Sequence, residues 1–241
     1  MKPIGYIDSC FQEKFATPRQ GVLSPSSRAR LNLCPQTVGE GALEGLKSPG
    51  FVWLIWRFHS SSRQVKGKIK PPRLGGKKLG VFASRSPHRP NPMGLSLVKV
   101  ESVGPTWLDL SGIDLIDGTA VLDIKPYIAD YDSPPRGEQL QVLTSTELAP
   151  LKALRVSVAD SVRLQLQSWH SEGGISHPAD LLLQTVCESL SLDPRPLAYR
   201  RPSARSGQMK QDFVCRIFSI DWHFRYLNEE EIEVFRAVQK P

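Results

Sequence analysis

Proline and glycine interrupt the N-terminal half of the chain so often that they argue against a helical domain there. Fourteen of the twenty prolines lie before residue 136, and a proline inside a helix removes a backbone hydrogen bond and clashes with the preceding turn. Short apolar or alternating runs stand between these breaks, as is typical of β-strands. Many short strands with Gly/Pro turns predict a small barrel or a sandwich rather than repeated βαβ units.

Seven strands and one short helix are predicted in this part of the chain. The run 51–56 is apolar without alternation, which indicates a strand buried on both faces. The predicted helix covers residues 38–46. The predicted strands cover residues 4–7, 30–33, 51–58, 79–83, 95–103, 107–110 and 121–124.

The composition changes near residue 134, where Ser133-Pro-Pro-Arg-Gly-Glu is typical of a linker. Beyond it, residues 156–169 begin as a strand and continue as a helix, and residues 179–190 form an amphipathic helix that Pro178 starts. Residues 213–226 and 232–238 are predicted to pair across the polar turn at Asn228. We therefore predict a mainly β chain, with a small β-barrel domain over residues 1–135 and a small α+β domain over residues 136–241.

Several classes of protein are disfavoured. The spacing of the four cysteines, Cys10, Cys34, Cys187 and Cys215, matches no zinc motif, so we expect no metal and idle thiols in a reducing cytoplasm. The apolar runs are far shorter than the roughly 20 residues that span a bilayer, and Asp8 interrupts any early signal sequence, so we expect no membrane contact. No strand precedes the glycines at 39, 41 and 45, which disfavours a dinucleotide fold.

Two basic blocks indicate a polyanionic partner. Residues 63–89 hold nine Lys or Arg without an acid, and residues 194–211 hold five, within a net charge of +7. Proline and glycine occur throughout both blocks, which favours ordered loops over a basic tail.

Four segments combine rigid backbone with polar donors and acceptors, as binding sites on all-β scaffolds do. Proline and glycine fix their shape, and Arg, Asn or Asp supply the polar groups. They are Phe15-Ala-Thr-Pro-Arg-Gln, Pro71-Pro-Arg-Leu-Gly-Gly, Val81-Phe-Ala-Ser-Arg-Ser-Pro-His-Arg-Pro-Asn-Pro-Met-Gly-Leu-Ser and Asp114-Leu-Ile-Asp-Gly-Thr-Ala-Val-Leu-Asp-Ile-Lys-Pro-Tyr.

These segments resemble the TsaA-like family of β-barrel tRNA adenine-N6 methyltransferases, called TrmO, over about residues 4–132. The resemblance implies a homodimeric enzyme that uses S-adenosylmethionine to methylate threonylcarbamoyladenosine at position 37 of tRNA, beside the anticodon. It also implies the cofactor contacts, which are Pro18, Arg19, Gln20, His59, Ser60, Arg85, Leu95, Asp117, Gly118, Thr119 and Ala120.

The chemistry of methyl transfer leaves several assignments open. A general base would assist the weakly nucleophilic N6 atom, and the candidates are His59, Asp114, Asp117 and Asp123. Arg19 and Arg85 suit a carboxylate, which could be that of the cofactor, that of the threonyl group, or an aspartate inside the barrel.

The basic blocks supply the predicted contacts to the tRNA anticodon stem-loop, where arginine and lysine bind phosphates and tyrosine stacks on bases. A non-catalytic RNA-binding barrel and a methyltransferase of another nucleic acid remain as alternatives. The predicted tRNA-binding residues are Lys77, Lys78, Arg89, Tyr199, Arg200 and Arg201.

Overall fold

The computed structural model of the 241-residue chain describes residues 1–59, 65–71, 78–133, 153–195 and 211–240. Its secondary structure is mainly β, as predicted. Among these residues, no helix is long and apolar enough to cross a membrane.

Six strands close into a barrel in the order β1-β2-β7-β6-β3-β8, and β8 pairs antiparallel with β1. This confirms the predicted β-barrel. A separate two-stranded ribbon consists of β4 (Lys68–Ile69) and β5 (Leu79–Gly80), and a 3₁₀ turn follows at Val81–Ala83. The barrel strands are β1 (Gly5–Ser9), β2 (Arg28–Leu33), β3 (Gly50–Arg57), β6 (Met93–Val103), β7 (Trp107–Ser111) and β8 (Ala120–Pro126).

Strand β3 shows how alternation builds the barrel interior. Val52, Leu54 and Trp56 are buried, while Trp53 and Ile55 on the other face are only half-buried. The prediction that this strand is buried on both faces is therefore wrong. Its even positions fill the barrel and its odd positions form part of the outer surface.

Trp56 explains a glycine on the neighbouring strand. The backbone of Trp56 pairs with that of Gly94, and a Cβ atom at Gly94 would lie 2.2 Å from the indole ring. The indole Nε1–H donates to the buried Ser96 hydroxyl at 3.0 Å. A large aromatic ring thus occupies the space left by a missing side chain, with its polar atom satisfied.

The C-terminal residues form a four-stranded sheet in the order β10-β11-β12-β9, in which β12 and β9 are parallel. Helix α2 contacts β12 and helix α3 contacts β9. Trp222, Phe224 and Val234 are buried. The bounds are α1 (Ala129–Asp132), β9 (Arg155–Val158), α2 (Asp160–Ser171), α3 (Ala179–Ser191), β10 (Asp212–Ile217), β11 (Ile220–Tyr226) and β12 (Glu231–Gln239).

The described residues of the chain form two compact units. The first unit comprises Met1–Ile7, Leu31–Leu110 and Thr119–Leu151, and the second comprises Asp8–Arg30, Ser111–Gly118 and Lys152–Pro241. The predicted domains, 1–135 and 136–241, follow chain order and stay a prediction.

Two local predictions are wrong because left-handed backbone conformations turn the chain. Residues 38–46 form successive turns instead of a helix, and Gly41 and Gly45 take left-handed backbone conformations there, with φ of 74° and 79°. Residues 213–226 are two strands instead of one, because Phe218 and Ser219 turn the chain with φ of 55° and 59°. The predicted pairing across Asn228 is present as the antiparallel pair β11–β12.

Candidate functional site

In the first unit, a compact loop displays Arg85. Arg89 Nη1 donates to the carbonyl oxygens of Val81 at 3.1 Å and Ser84 at 2.7 Å, and its guanidinium lies 5.5 Å from the centre of the Phe82 ring. Arg85 itself is exposed. Arg89 therefore stabilises the loop, and its predicted contact with tRNA stays a prediction.

Phe82 is a residue that the sequence analysis missed. Its side chain is 75% exposed, beside the Arg89 guanidinium and within a basic segment. Nucleic-acid bases stack on exposed rings of this kind. An aromatic residue inside an uncompensated basic block is the sequence signal that could have identified it.

The first basic block continues into the same loop. We call the ribbon β4–β5 with Lys66, Lys68, Lys70 and Lys78 the basic ribbon, and all four lysines are exposed. Lys66 N–H donates to the His88 carbonyl at 3.1 Å, and Val81 N–H donates to the Gly67 carbonyl at 3.0 Å. The structure thus joins the basic ribbon to the loop that carries Arg85. Lys77, also predicted to bind tRNA, lies outside the described residues.

His59 and Leu95 also belong to the first unit. His59 is exposed just after β3, where Phe58 N–H donates to the Pro92 carbonyl at 2.8 Å. Leu95 lies on the outer face of β6 and is 54% exposed. Ser60 lies outside the described residues.

The second unit carries the loop 18–27, which includes three predicted cofactor contacts. Pro18 is buried, Arg19 is exposed and Gln20 is half-buried. The side-chain amide of Gln20 donates to the Arg19 carbonyl at 2.5 Å. A 3₁₀ turn, Gly21–Leu23, follows directly, and its Leu23 N–H donates to the Gln20 carbonyl at 3.0 Å.

Gly21 packs directly against another backbone segment. A Cβ atom at Gly21 would lie 1.7 Å from the carbonyl oxygen of Gly112, so only glycine fits. Ser27 strengthens the same contact, because its hydroxyl accepts from Ile113 N–H at 2.8 Å. The loop 18–27 is thereby held against residues 112–113.

The turn with Asp117 also lies in the second unit. The Asp117 carboxylate accepts from Ser9 N–H at 2.9 Å, and Asp117 N–H donates to the Phe11 carbonyl at 2.8 Å. Gly118 follows with φ of 71°. One carboxylate oxygen of Asp117 therefore has a structural partner at the end of β1.

The remaining candidates differ in exposure. Thr119 and Ala120 are buried at the start of β8, and Thr119 offers its carbonyl to Ile7 N–H at 3.0 Å. Asp123 accepts from Ile124 N–H at 2.9 Å and pairs with Lys125 at 3.2 Å, and Asp114 is half-buried.

The second basic block begins with an internal ion pair. Arg195 and Asp193 form a bidentate pair at 2.8 and 2.9 Å, and the guanidinium lies 3.8 Å from the centre of the Tyr226 ring. The Tyr226 hydroxyl also donates to Asp193 at 3.0 Å. The predicted tRNA contacts Tyr199, Arg200 and Arg201 lie outside the described residues.

The described residues contain no cluster of three or more His, Cys, Asp or Glu that could hold a metal ion. Burial raises the pKa of the Cys10 thiol to about 12, and burial also raises the pKa of Cys215. These two cysteines are therefore protonated packing residues at neutral pH.

Comparison with known proteins identifies relatives along the whole chain. The family model described as the tRNA-methyltransferase O N-terminal domain matches residues 6–133. A Pseudomonas aeruginosa protein, RcsF, named as a candidate S-adenosylmethionine-dependent methyltransferase, is 39% identical over 236 residues, which are 97% of this chain and 95% of that protein. The tRNA (adenine(37)-N6)-methyltransferase of Escherichia coli is 37% identical over 204 residues, which are 82% of each chain. A crystal structure of TrmO superposes with a TM-score of 0.74 at 34% identity, covering 98% of this chain and 97% of the other.

Proposed function

The chain belongs to the tRNA-methyltransferase O family, and we propose that it transfers a methyl group from S-adenosylmethionine to N6 of threonylcarbamoyladenosine at position 37 of tRNA. The observation that carries this proposal is the match over 82% of both chains to a relative named for methylation of that nitrogen. The threonylcarbamoyl group and the direct transfer are our own extension of that match.

Methyl transfer from a sulfonium is an in-line displacement that requires alignment more than covalent chemistry. Holding two reacting atoms about 3 Å apart in line can lower a barrier by roughly 7–11 kcal/mol. When bound, S-adenosylmethionine supplies the activated methyl group. The chain's own task is to fix the two reactants and to keep water out.

The donors of the described loops fit the polar groups of this cofactor. The cofactor carries a carboxylate and an adenine edge, for which a guanidinium and a side-chain amide are matching partners. We assign Arg19 and Gln20 to these groups, on a loop whose backbone is fixed at Gly21. Arg85 is assigned to a carboxylate of either the cofactor or the threonyl group.

A proton must leave N6 during the transfer. The acceptor is one of His59, Asp114, Asp117 and Asp123, or a water that one of them holds. Asp123 already pairs with Lys125, and Asp117 already accepts from Ser9 N–H. We therefore expect substitution of His59, which is exposed, to lower kcat more than substitution of Asp123.

The basic ribbon is the proposed surface for the anticodon stem-loop. Lys66, Lys68, Lys70 and Lys78 are exposed along it, and exposed lysines contribute to RNA affinity through phosphate contacts that weaken with salt. Phe82 offers a ring to an unstacked base of the loop.

We also propose that the active form is a homodimer. On the outer face of the barrel, Phe51 is 51% exposed, Leu95 is 54% exposed, and Trp53 and Ile55 add half-buried apolar surface. The backbones of Ile55 and Leu95 pair directly, so these side chains form one patch. Apolar surface of this kind favours association with a second copy.

All four cysteines are free, in keeping with a cytoplasmic enzyme.

The test is a methylation assay that separates this function from its alternatives. Purified protein, S-adenosylmethionine and tRNA with or without threonylcarbamoyladenosine are incubated, and the nucleosides are measured by mass spectrometry. We expect methylated threonylcarbamoyladenosine only from the modified tRNA. Binding of tRNA without calorimetric binding of S-adenosylmethionine would support the non-catalytic RNA-binding alternative. Methylation of a different nucleoside would support the alternative of another nucleic-acid substrate.

Arg85 provides the matched variants for this assay. Loss of a charge-assisted hydrogen bond costs about 1.5–3 kcal/mol, so Arg85→Ala should lower kcat/KM by about 10–150-fold. Arg85→Lys keeps the charge without the bidentate geometry and should recover only part of the activity. Unchanged kinetics in both variants would remove Arg85 from the site.

A further inference from the structure

A glutamate of the C-terminal helix α3 is bonded to the loop 18–27. Oε2 of Glu188 accepts from the Ser26 backbone N–H at 3.1 Å, from the Ser26 hydroxyl at 2.5 Å and from the Ser24 hydroxyl at 3.1 Å. Both serines are buried. A single carboxylate oxygen therefore satisfies three donors from a segment that is distant in sequence.

Two neighbours on α3 reinforce this contact. Thr185 lies one turn earlier, and its hydroxyl donates to the Ser26 carbonyl at 3.1 Å and lies 3.0 Å from the Ser26 hydroxyl. Gln184 donates its side-chain amide to Oε1 of Glu188 at 3.0 Å. The amide fixes the carboxylate, so its other oxygen is directed at the loop.

A short, rigid path leads from Glu188 to the predicted cofactor contacts. Ser24, which donates to Glu188, also gives its backbone N–H to the Gly21 carbonyl at 2.9 Å. Leu23 N–H in turn donates to the Gln20 carbonyl at 3.0 Å. These two hydrogen bonds connect Ser24 to Gln20 through one 3₁₀ turn, so we expect a displacement of Ser24 to move Gln20 as well.

A second contact of the loop, at Gly21, offers no room for adjustment. Gly21 contacts the Gly112 backbone so closely that a single added Cβ atom would overlap it. The loop is thus held by a backbone segment and by a carboxylate, and only the carboxylate can be removed without changing the loop itself. Apolar packing cannot replace it, because the Ser26 N–H would then be buried without an acceptor.

We propose that Glu188 is a positioning residue for S-adenosylmethionine binding, acting through Ser24 and Ser26 on the loop that carries Arg19 and Gln20. This inference rests on the proposed function. It assigns to the C-terminal helix a role in cofactor affinity that is separate from any contact with tRNA.

Four variants of the 241-residue chain test this role. Glu188→Ala removes the acceptor, and Glu188→Gln restores one acceptor oxygen at nearly the same place. Glu172→Ala is the control for the loss of a surface carboxylate. Glu172 is exposed at the end of α2, and among its described contacts its carboxylate accepts only from the Ser168 hydroxyl, at 2.6 Å. Leu190→Ala loosens the buried side of α3 without touching the loop hydrogen bonds.

Calorimetry gives the Kd for S-adenosylmethionine, and hydrogen exchange reports the loop in the cofactor-free protein. A charge-assisted hydrogen bond that is lost at Arg19 lowers affinity by about 10–150-fold, so Glu188→Ala, which misplaces the loop, should weaken binding by about 10–100-fold. Glu188→Gln should recover most of that loss. Exchange of the Ser26 amide should accelerate in Glu188→Ala alone, and the Kd for tRNA should stay within about twofold.

Each outcome decides the proposal. A wild-type Kd in Glu188→Ala overturns it and leaves the proposed function intact. An equal loss in Leu190→Ala, at a temperature where both variants are folded, overturns it as well, because general loosening of the second unit would then explain the effect. Failure of the wild-type protein to bind S-adenosylmethionine overturns both this inference and the proposed function.

Discussion

Gly21→Ala is the most informative single substitution, because the structure gives the size of the steric overlap that the added methyl group would create. The added Cβ atom would lie 1.7 Å from the carbonyl oxygen of Gly112 and 2.6 Å from its carbon. Cβ atoms do not approach such atoms within 3.0 Å, so the two segments must move apart until the 1.7 Å separation reaches at least that limit. Both partners are backbone, so no side chain can rotate away.

That displacement should be measurable in stability and in binding. Overpacking of a filled site costs about 1–3 kcal/mol, and in a chain of this size each kcal/mol lowers Tm by roughly 2–4 °C. We therefore expect Tm to fall by about 2–12 °C. A loop moved by about 1 Å should also lose the charge-assisted hydrogen bond proposed for Arg19, so it should bind S-adenosylmethionine at least tenfold more weakly.

Thermal unfolding and calorimetry on the same preparations check both numbers. Gly39→Ala is the matched neutral control, because its added Cβ atom meets nothing within 4 Å. A wild-type Tm for Gly21→Ala would refute the close packing of the loop against Gly112. A lowered Tm with wild-type affinity would refute the assignment of the loop to the cofactor.

Two further predictions concern the second unit. Arg195→Ala should lower the free energy of unfolding by about 3–5 kcal/mol in urea titrations, because it removes the bidentate partner of the Asp193 carboxylate, which is only 14% exposed. A change below about 1 kcal/mol would contradict a buried pair. Because burial raises the pKa of Cys10 to about 12 and also raises that of Cys215, neither thiol ionises near pH 8, so a disulfide reagent should modify them in urea but not in the folded protein. Rapid labelling of either cysteine in the folded protein would show that it is not buried.

The strands of the barrel were predictable because burial imposes a period of two on the sequence. Val98 and Val100 point into the barrel between half-buried neighbours, and this pattern is visible in the sequence. The turns were less predictable where the backbone takes left-handed conformations. The glycines at 41 and 45 indicate such a conformation in the sequence, whereas Phe218 and Ser219 adopt it without any sequence signal.

The two loops proposed to bind the cofactor stand out in the sequence for a different reason. Proline and glycine around Arg19 and Arg85 reveal a fixed backbone bearing polar groups, and that combination is local in sequence. The support of those loops is not local. Glu188 and Ser26 are 162 residues apart, and a glutamate on a helix has the same sequence pattern whether it meets solvent or a buried serine.

A basic block in the sequence can overstate the charge that is available to a partner, because acids outside the block can pair with its arginines. The block 194–211 contains no acid, yet its first arginine is neutralised by Asp193, which lies just outside the counted range. Arg195 is buried in this pair and stacked on Tyr226, so it cannot meet a phosphate without breaking both contacts. The basic ribbon differs, because Lys66, Lys68, Lys70 and Lys78 are all exposed there. Counterion release depends only on charges that reach phosphates, so the proposed tRNA surface depends on the ribbon more than on the start of the second block.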